Sequence, residues 1–311
     1  MKKVELHLHL DGSLDINYAQ ELIGRDVYNE MVSSHDGNLA QYLEKFYLPD
    51  ELLSDYDTIV EFSYRLAKQL EKEDVIYAEI RFCPTSHDKK ISVDSVITGI
   101  RVGLAKVPSV KTNLIFCMRR NYSFEQNMEI VKLTKKYLGN GCCAIDLVGD
   151  EASFNTEDFK ELFDIINKEN IPFTIHAGEA SSYKSVLSAI NFGAKRIGHG
   201  IRSIEDKDTI NKLIKNNIFL EICPDSNLDT HAVESINKHP IRELVDLGVA
   251  VTINTDNRTV SNTSLEHEYD LLRDNLGFTD EDILNFNLNA IEAAFISDKE
   301  KDELKNRLLD I

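Results

Sequence analysis

Apolar residues along the chain fall into eight short runs separated by longer stretches of helical periodicity. The first, residues 4–9, alternates Val4, Leu6 and Leu8 with Glu5, His7 and His9. Strand side chains two apart share a face, so His7 and His9 project together, just before an Asp11-Gly12 turn. Further strands are expected at 75–83, 112–118, 142–148, 173–176, 196–198, 218–222 and 249–253. Most are near-continuous apolar runs, as strands covered on both faces of a parallel sheet must be. Between them the spacing predicts helices at 93–106, 124–138, 157–169, 185–192, 206–216 and 241–247, and 17–74 is mostly helical in pattern. Thr156 reads as the cap of the third of these helices. Three more follow the last strand, near 265–276, 280–296 and 299–309. This alternation predicts an α/β fold, a (β/α)₈ TIM barrel with added helices, spanning 1–311 as one domain. A doubly wound open sheet is the alternative, but no G-x-G-x-x-G follows the first strand.

Composition narrows the partners. With 35 basic and 53 acidic residues the formal charge is −18, which argues against a nucleic-acid surface and against docking on anionic lipid. No apolar run approaches the ~20 residues of a membrane span. Met1-Lys2-Lys3 leads straight into the first strand, so a cytoplasmic protein without an obligate protein partner is expected. The five cysteines are odd in number and lack C-x-x-C spacing; buried, reduced thiols are the expectation.

In a barrel the C-terminal strand ends face one pocket. His7 and His9 end the first strand, Asp146 and Gly149-Asp150-Glu151 surround the end of the fourth, and His176 with Glu179 follows the fifth. His199, between Gly198 and Gly200, follows the sixth, and Asp256 the eighth. Four of nine histidines thus sit at strand ends, and His35, His87, His231, His239 and His267 are expected at the surface. Three histidines and a carboxylate leave an open position of the kind catalytic zinc uses, so His7, His9, His176 and Asp256 form the natural ligand set. Glu179 and His199 remain as an acid and a base. Taken singly, His176 could cap a strand, His199 mark a plain turn and Asp256 an Asx-turn; all three would have to be accidental together.

The motifs His7-Leu8-His9-Leu10-Asp11-Gly12-Ser13, Ala144-Ile145-Asp146-Leu147-Val148-Gly149-Asp150-Glu151, His176-Ala177-Gly178-Glu179, Arg196-Ile197-Gly198-His199-Gly200 and Asn254-Thr255-Asp256-Asn257-Arg258 resemble the adenosine deaminase family of metal-dependent amidohydrolases. Residues 77–84 resemble that family's second strand. The resemblance implies hydrolysis of adenosine, and of 2′-deoxyadenosine, to inosine and ammonia, with one Zn²⁺ per chain held by His7, His9, His176 and Asp256. It implies that His199 helps deprotonate the water and stabilises the attacking hydroxide, which Asp256 orients. Protonated Glu179 would give its proton to purine N1. The substrate-contacting positions would be His9, Asp11 at the ribose 5′-hydroxyl, the Gly149 N–H at N3, and Asn257 at N7. Residues 39–48 match the family's helical lid. Asn257 departs from the Asp that many members carry, yet its amide can donate to N7 without a proton. Adenine-specific relatives tend to carry Glu in place of Asp11, so the partner expected is a small purine nucleoside. The rivals are an adenine or modified-purine-nucleoside deaminase, a phosphotriesterase-like two-metal hydrolase, and a non-catalytic nucleoside-binding protein. The H-x-E and P-C-x-x-C signature of the other zinc nucleobase deaminases does not occur.

Overall fold

The computed structural model describes residues 1–34, 42, 44–87 and 90–310. Eight parallel strands run β1 (Lys3–His9), β2 (Val75–Phe82), β3 (Lys111–Arg119), β4 (Cys142–Val148), β5 (His176–Ala177), β6 (Arg196–His199), β7 (Phe219–Ile222) and β8 (Val251–Ile253). Ladders join β1-β2-β3-β4 and β5-β6-β7-β8. Two seams close the ring. Ile145 N–H donates to the Pro172 carbonyl (3.0 Å) and Thr174 N–H to that of Ile145 (3.1 Å), linking β4 to the approach to β5. Asp256 N–H donates to the His7 carbonyl and His9 N–H to that of Asp256, both at 2.8 Å, so β1 meets the end of β8.

Helices α1 (Ile16–Ile23), α2 (Tyr28–Met31), α3 (Tyr47–Leu52) and α4 (Tyr56–Lys72) lie between β1 and β2. Then come α5 (Val93–Ala105), α6 (Phe124–Tyr137), α7 (Lys160–Lys168), α8 (Tyr183–Phe192), α9 (Lys207–Lys215), α10 (Pro224–Asp229) and α11 (Ile241–Asp246). After β8 follow α12 (Leu265–Leu276), α13 (Asp280–Ala293) and α14 (Asp298–Leu309). Capping boxes at Ser123/Gln126, Thr279/Asp282 and Ser297/Glu300 start α6, α13 and α14 by satisfying backbone donors that a helix start leaves unpaired.

The two faces of each strand go to different environments. On β2, Ile80 and Phe82 join the apolar layer under the helices, with Phe62, Ile97 and Phe163. Glu79 and Arg81, the alternate residues, point into the barrel, where their partners lie on β4, β6 and β7. Helices α13 and α14 cover the N-terminal mouth: Ile291, Ala294, Leu304 and Leu308 pack with Val4, Leu6, Ile76 and Tyr77. The C-terminal mouth is left for the site.

Several local expectations change. Thr156 caps no helix; residues Thr156–Phe159 form a 3₁₀ turn before α7. Its hydroxyl instead accepts from Arg120 (2.9 Å) and lies 2.5 Å from Ser185 Oγ. The fifth strand pairs over only two residues, since Phe173 bridges to β4 instead. The sixth extends through His199. Residues Pro224-Asp225-Ser226-Asn227-Leu228-Asp229, where the pattern predicts no helix, form α10. The lid expected at 39–48, Tyr42 and 44–48 excepted, and His35 lie outside the described residues. Among the described residues, no helix is long and apolar enough to cross a membrane.

Candidate active site

The barrel seam sets the centre. Because β1 and the turn after β8 exchange hydrogen bonds, His7, His9 and Asp256 are fixed side by side. Asp256 is held at φ +58°, a left-handed conformation that few non-glycine residues adopt. Its Oδ1 lies 3.5 Å from His7 Nε2 and 3.4 Å from His9 Nε2. His176 arrives from β5, with its Nε2 3.2 Å from His9 Nε2. The four residues offer ligand atoms that all lie within 4.8 Å of one another. Gly198 permits this crowding: a Cβ there would meet His7 Cε1 at 3.0 Å and His176 Nδ1 at 3.2 Å.

The donor set fits a divalent metal. His7 Nε2 is buried, turned into the cluster, and has no hydrogen-bond partner. The opposite nitrogen, Nδ1, is 2.8 Å from Glu221 Oε2, and His176 Nδ1 is 3.0 Å from Asp146 Oδ2. A carboxylate on one imidazole nitrogen fixes the ring and leaves the other lone pair aimed at a cation. Three imidazoles and one carboxylate with a free position is the pattern of a catalytic zinc site. Burial penalises the Asp256 carboxylate, but the surrounding imidazoles outweigh it and hold its pKa well below the usual range. Burial also pushes the His9 pKa well down, keeping the ring neutral. Glu221, despite burial, is held ionised by Arg81 and Arg196.

Beneath the histidines lies an ionic layer. Arg81 donates to Asp146 Oδ2 (2.6 Å), Glu221 Oε2 (2.8 Å) and the Leu6 carbonyl (2.6 Å). Arg196 donates to Glu221 Oε1 and Glu79 Oε2, both at 2.6 Å.

Beside this cluster stand Glu179 and His199. His199 Nε2 is 3.5 Å from Glu179 Oε2 and 3.9 Å from Asp256 Oδ2, whose oxygen also accepts from Ser226 Oγ at 2.5 Å. Glu179 Oε1 accepts from Thr230 Oγ1 (2.9 Å) and Asn227 Nδ2 (3.3 Å). The turn bearing Glu179 is gripped by Glu151, whose carboxylate accepts the backbone N–H groups of Gly178, Glu179, Ala180 and Ser181 at 2.6–3.0 Å.

A sequence profile of the adenosine deaminase family matches residues 2–311. The chain belongs to the adenosine deaminase family. It is 38% identical to the adenosine deaminase of Haemophilus ducreyi, over 97% of this chain and 94% of that protein. Its fold is similar to that of an Arabidopsis N6-methyl-AMP deaminase, with TM-score 0.89 and 26% identity over 100% and 98% of the two chains. The adenine deaminase of Arthrobacter aurescens also superposes, with TM-score 0.89 and 23% identity over 99% and 98%. The family membership makes the protein a hydrolytic deaminase built on an amidohydrolase barrel.

The other expected positions lie on the same rim of this deaminase. Asp11 is buried, with Oδ1 unpartnered, and burial together with nearby Asp50 pushes its pKa up to about 6. Asn257 donates from Nδ2 to the Tyr42 hydroxyl at 2.9 Å. Its Oδ1 packs on Gly12, where a Cβ would come within 2.0 Å, so only glycine fits that turn. Gly149 follows β4 at φ +105°, again a glycine conformation.

Two histidines expected at the surface are buried in the deaminase. His87 lies 3.8 Å from Asp50, and His239 bonds Asn227. His267 is exposed as expected. Sequence reasoning also gave no role to Glu221, Arg81 and Arg196, although Arg81 and Arg196 lie within the motifs that carry the resemblance. The available signal was a charge set among apolar residues of a buried strand, which must point inward to a partner. For Asn227, Thr230 and His239 no local signal existed.

Proposed function

We propose that this enzyme hydrolyses adenosine and 2′-deoxyadenosine to inosine or 2′-deoxyinosine and ammonia, using one zinc ion per chain. His7, His9, His176 and Asp256 would hold the ion. Zinc, when bound, lowers the pKa of a water towards neutrality and so supplies the nucleophile. The rest of the chemistry belongs to the chain. Asp256 and His199 face the same space and orient the attacking oxygen by hydrogen bonds. Glu179, in its protonated form, delivers a proton to purine N1, which makes C6 more electrophilic. Addition of water at C6 gives a tetrahedral adduct, and expulsion of the exocyclic amine as ammonia restores the conjugated ring.

Recognition would use the Gly149 N–H at purine N3, the Asn257 amide at N7, and His9 and Asp11 towards the ribose. Asp11 is short enough to leave room for a sugar. The observation that carries this reading is the buried, unpartnered His7 Nε2 turned towards His9, His176 and Asp256. The test is to incubate purified protein separately with adenosine, 2′-deoxyadenosine, adenine and AMP and to measure ammonia. Release from the two nucleosides is expected. Release from adenine or AMP alone would overturn the assignment and move the enzyme towards the substrates named for its solved neighbours.

A further inference from the structure

His239 lies behind the site and has no place in the mechanism above. It is buried at the start of α11, and its surroundings fix its protons one by one. Ile241 N–H donates to His239 Nδ1 at 3.1 Å. A backbone amide can only donate, so Nδ1 is an acceptor. Burial lowers the His239 pKa to about 3, so the ring is neutral and its single proton sits on Nε2. That Nε2 is 3.3 Å from Asn227 Oδ1 and donates to it. The orientation of the Asn227 amide follows, since its oxygen is committed to His239. Its Nδ2 then faces His199 Nδ1 at 3.0 Å and donates there, and also faces Glu179 Oε1 at 3.3 Å. His199 Nδ1 is therefore an acceptor, which leaves Nε2 to carry the ring proton.

We infer that His239 and Asn227 are positioning residues that hold His199 in its Nε2–H tautomer, so that it meets the reacting oxygen as a hydrogen-bond donor. The inference rests on His199 having the role proposed above. Nε2 is the nitrogen 3.5 Å from Glu179 and 3.9 Å from Asp256, on the side where water attacks. A donor aimed there stabilises negative charge as it develops on the attacking oxygen. A base role would need Nε2 free of its proton, hence a proton on Nδ1, where the Asn227 amide already points its own. Of the two duties the family resemblance gives His199, this arrangement supports stabilising the hydroxide over removing its proton. It also gives Asn227 a reason to be an amide: one side chain must accept from His239 and donate to His199, which neither Asp nor Leu can do.

The test is long-range ¹H–¹⁵N correlation NMR on full-length, zinc-loaded protein labelled at histidine, which reads the tautomer of each ring directly. His239 and His199 should both be protonated on Nε2 and bare on Nδ1. The Asn227→Asp variant offers only acceptors, so His199 should switch to Nδ1–H, and kcat should fall on the order of 10²–10³-fold, as for loss of one preorganised donor. The KM should change far less. His239→Ala frees the Asn227 amide, and His199 should then populate both tautomers. A parent spectrum with His199 protonated on Nδ1 overturns the inference, as does an unchanged Nε2–H signal in Asn227→Asp. If neither variant folds, the parent spectrum alone decides. The NMR result is independent of turnover. Protein inert on adenosine with both rings in the Nε2–H form would count against the functional reading, not against the relay.

Discussion

The barrel wall of this deaminase has two faces that follow opposite rules. Outside, Ile80, Phe82, Phe116 and Leu147 pack against helices in one apolar layer with no charge among them. Inside, Glu79, Arg81, Asp146, Arg196 and Glu221 are buried together as an ionic lattice. The outer face is redundant, because hydrophobic burial is non-directional and many residues share it. The inner face is not. Each carboxylate there has a definite imidazole or guanidinium to hold, and removing one partner leaves another buried charge uncompensated. The difference implies that the outer face sets how stable the enzyme is, and the inner face sets what His7, His9, His176 and Asp256 at the strand ends can do.

Substitutions on each face test that division. The largest effect is expected at the inner rim. Glu179→Gln keeps the shape but has no carboxyl proton, and kcat for adenosine should fall by ~10²–10⁴, the usual worth of a general acid. Ammonia release measures it, and near-parental turnover would remove Glu179 from the mechanism. On the outer face, Phe163 on α7 is fully buried, its ring 4.9 Å from Phe173 and 5.3 Å from Phe192. Phe163→Ala should cost ~3–5 kcal/mol in denaturant unfolding while kcat of the folded fraction stays close to parental. A large loss in kcat would blur the two faces.

Glu221→Gln comes next. Its carboxylate orients His7 at 2.8 Å, and loss of such a partner typically weakens metal affinity ~10–100-fold. Chelator competition reads this directly, and unchanged affinity would reduce Glu221 to a structural charge. Smaller still is a pH effect from Glu5. Burial raises its pKa to about 8, against which Arg258 and the Thr255 hydroxyl and amide pull down. The folded value lies above the unfolded one, so the folded state binds this proton more tightly. Its contribution is complete below about pH 4.5 and is lost as pH rises through about 8. The parent's thermal midpoint should fall across that window more than that of Glu5→Gln. A parallel pH dependence in the two proteins would refute the assignment. At the bottom of the scale, the exposed Lys160–Asp164 pair on α7 should contribute no more than ~0.5 kcal/mol to stability, tested by Lys160→Ala.

The same division explains what could be read in the sequence. The outer face announces itself by periodicity, which is why the strands and most helices were expected close to where they lie. His7 and His9 were legible because a two-residue repeat on an alternating strand has one meaning, and His176 and Asp256 because barrel topology collects strand ends. Inner-face pairing was not legible. Arg81 and Glu221 are 140 residues apart, and nothing local to either names the other. His239 looked like an ordinary loop histidine because one partner, Asn227, lies 12 residues away on α10 and the other is only the backbone amide of Ile241. Helix α10 was hidden by its composition: Pro, Asp, Ser and Asn are turn formers, and its residues are held by burial rather than by propensity.

On the function proposed here, closure of β1 onto the turn after β8 builds one zinc site that drives adenosine deamination. The direct measurement is bound zinc and adenosine-dependent ammonia release in the same preparation, before chelation, after it, and after zinc is restored. One zinc per chain, with activity lost and regained in step with it, is the expected result. Full deamination by zinc-free protein, or stoichiometric zinc with no ammonia from adenosine, would contradict it.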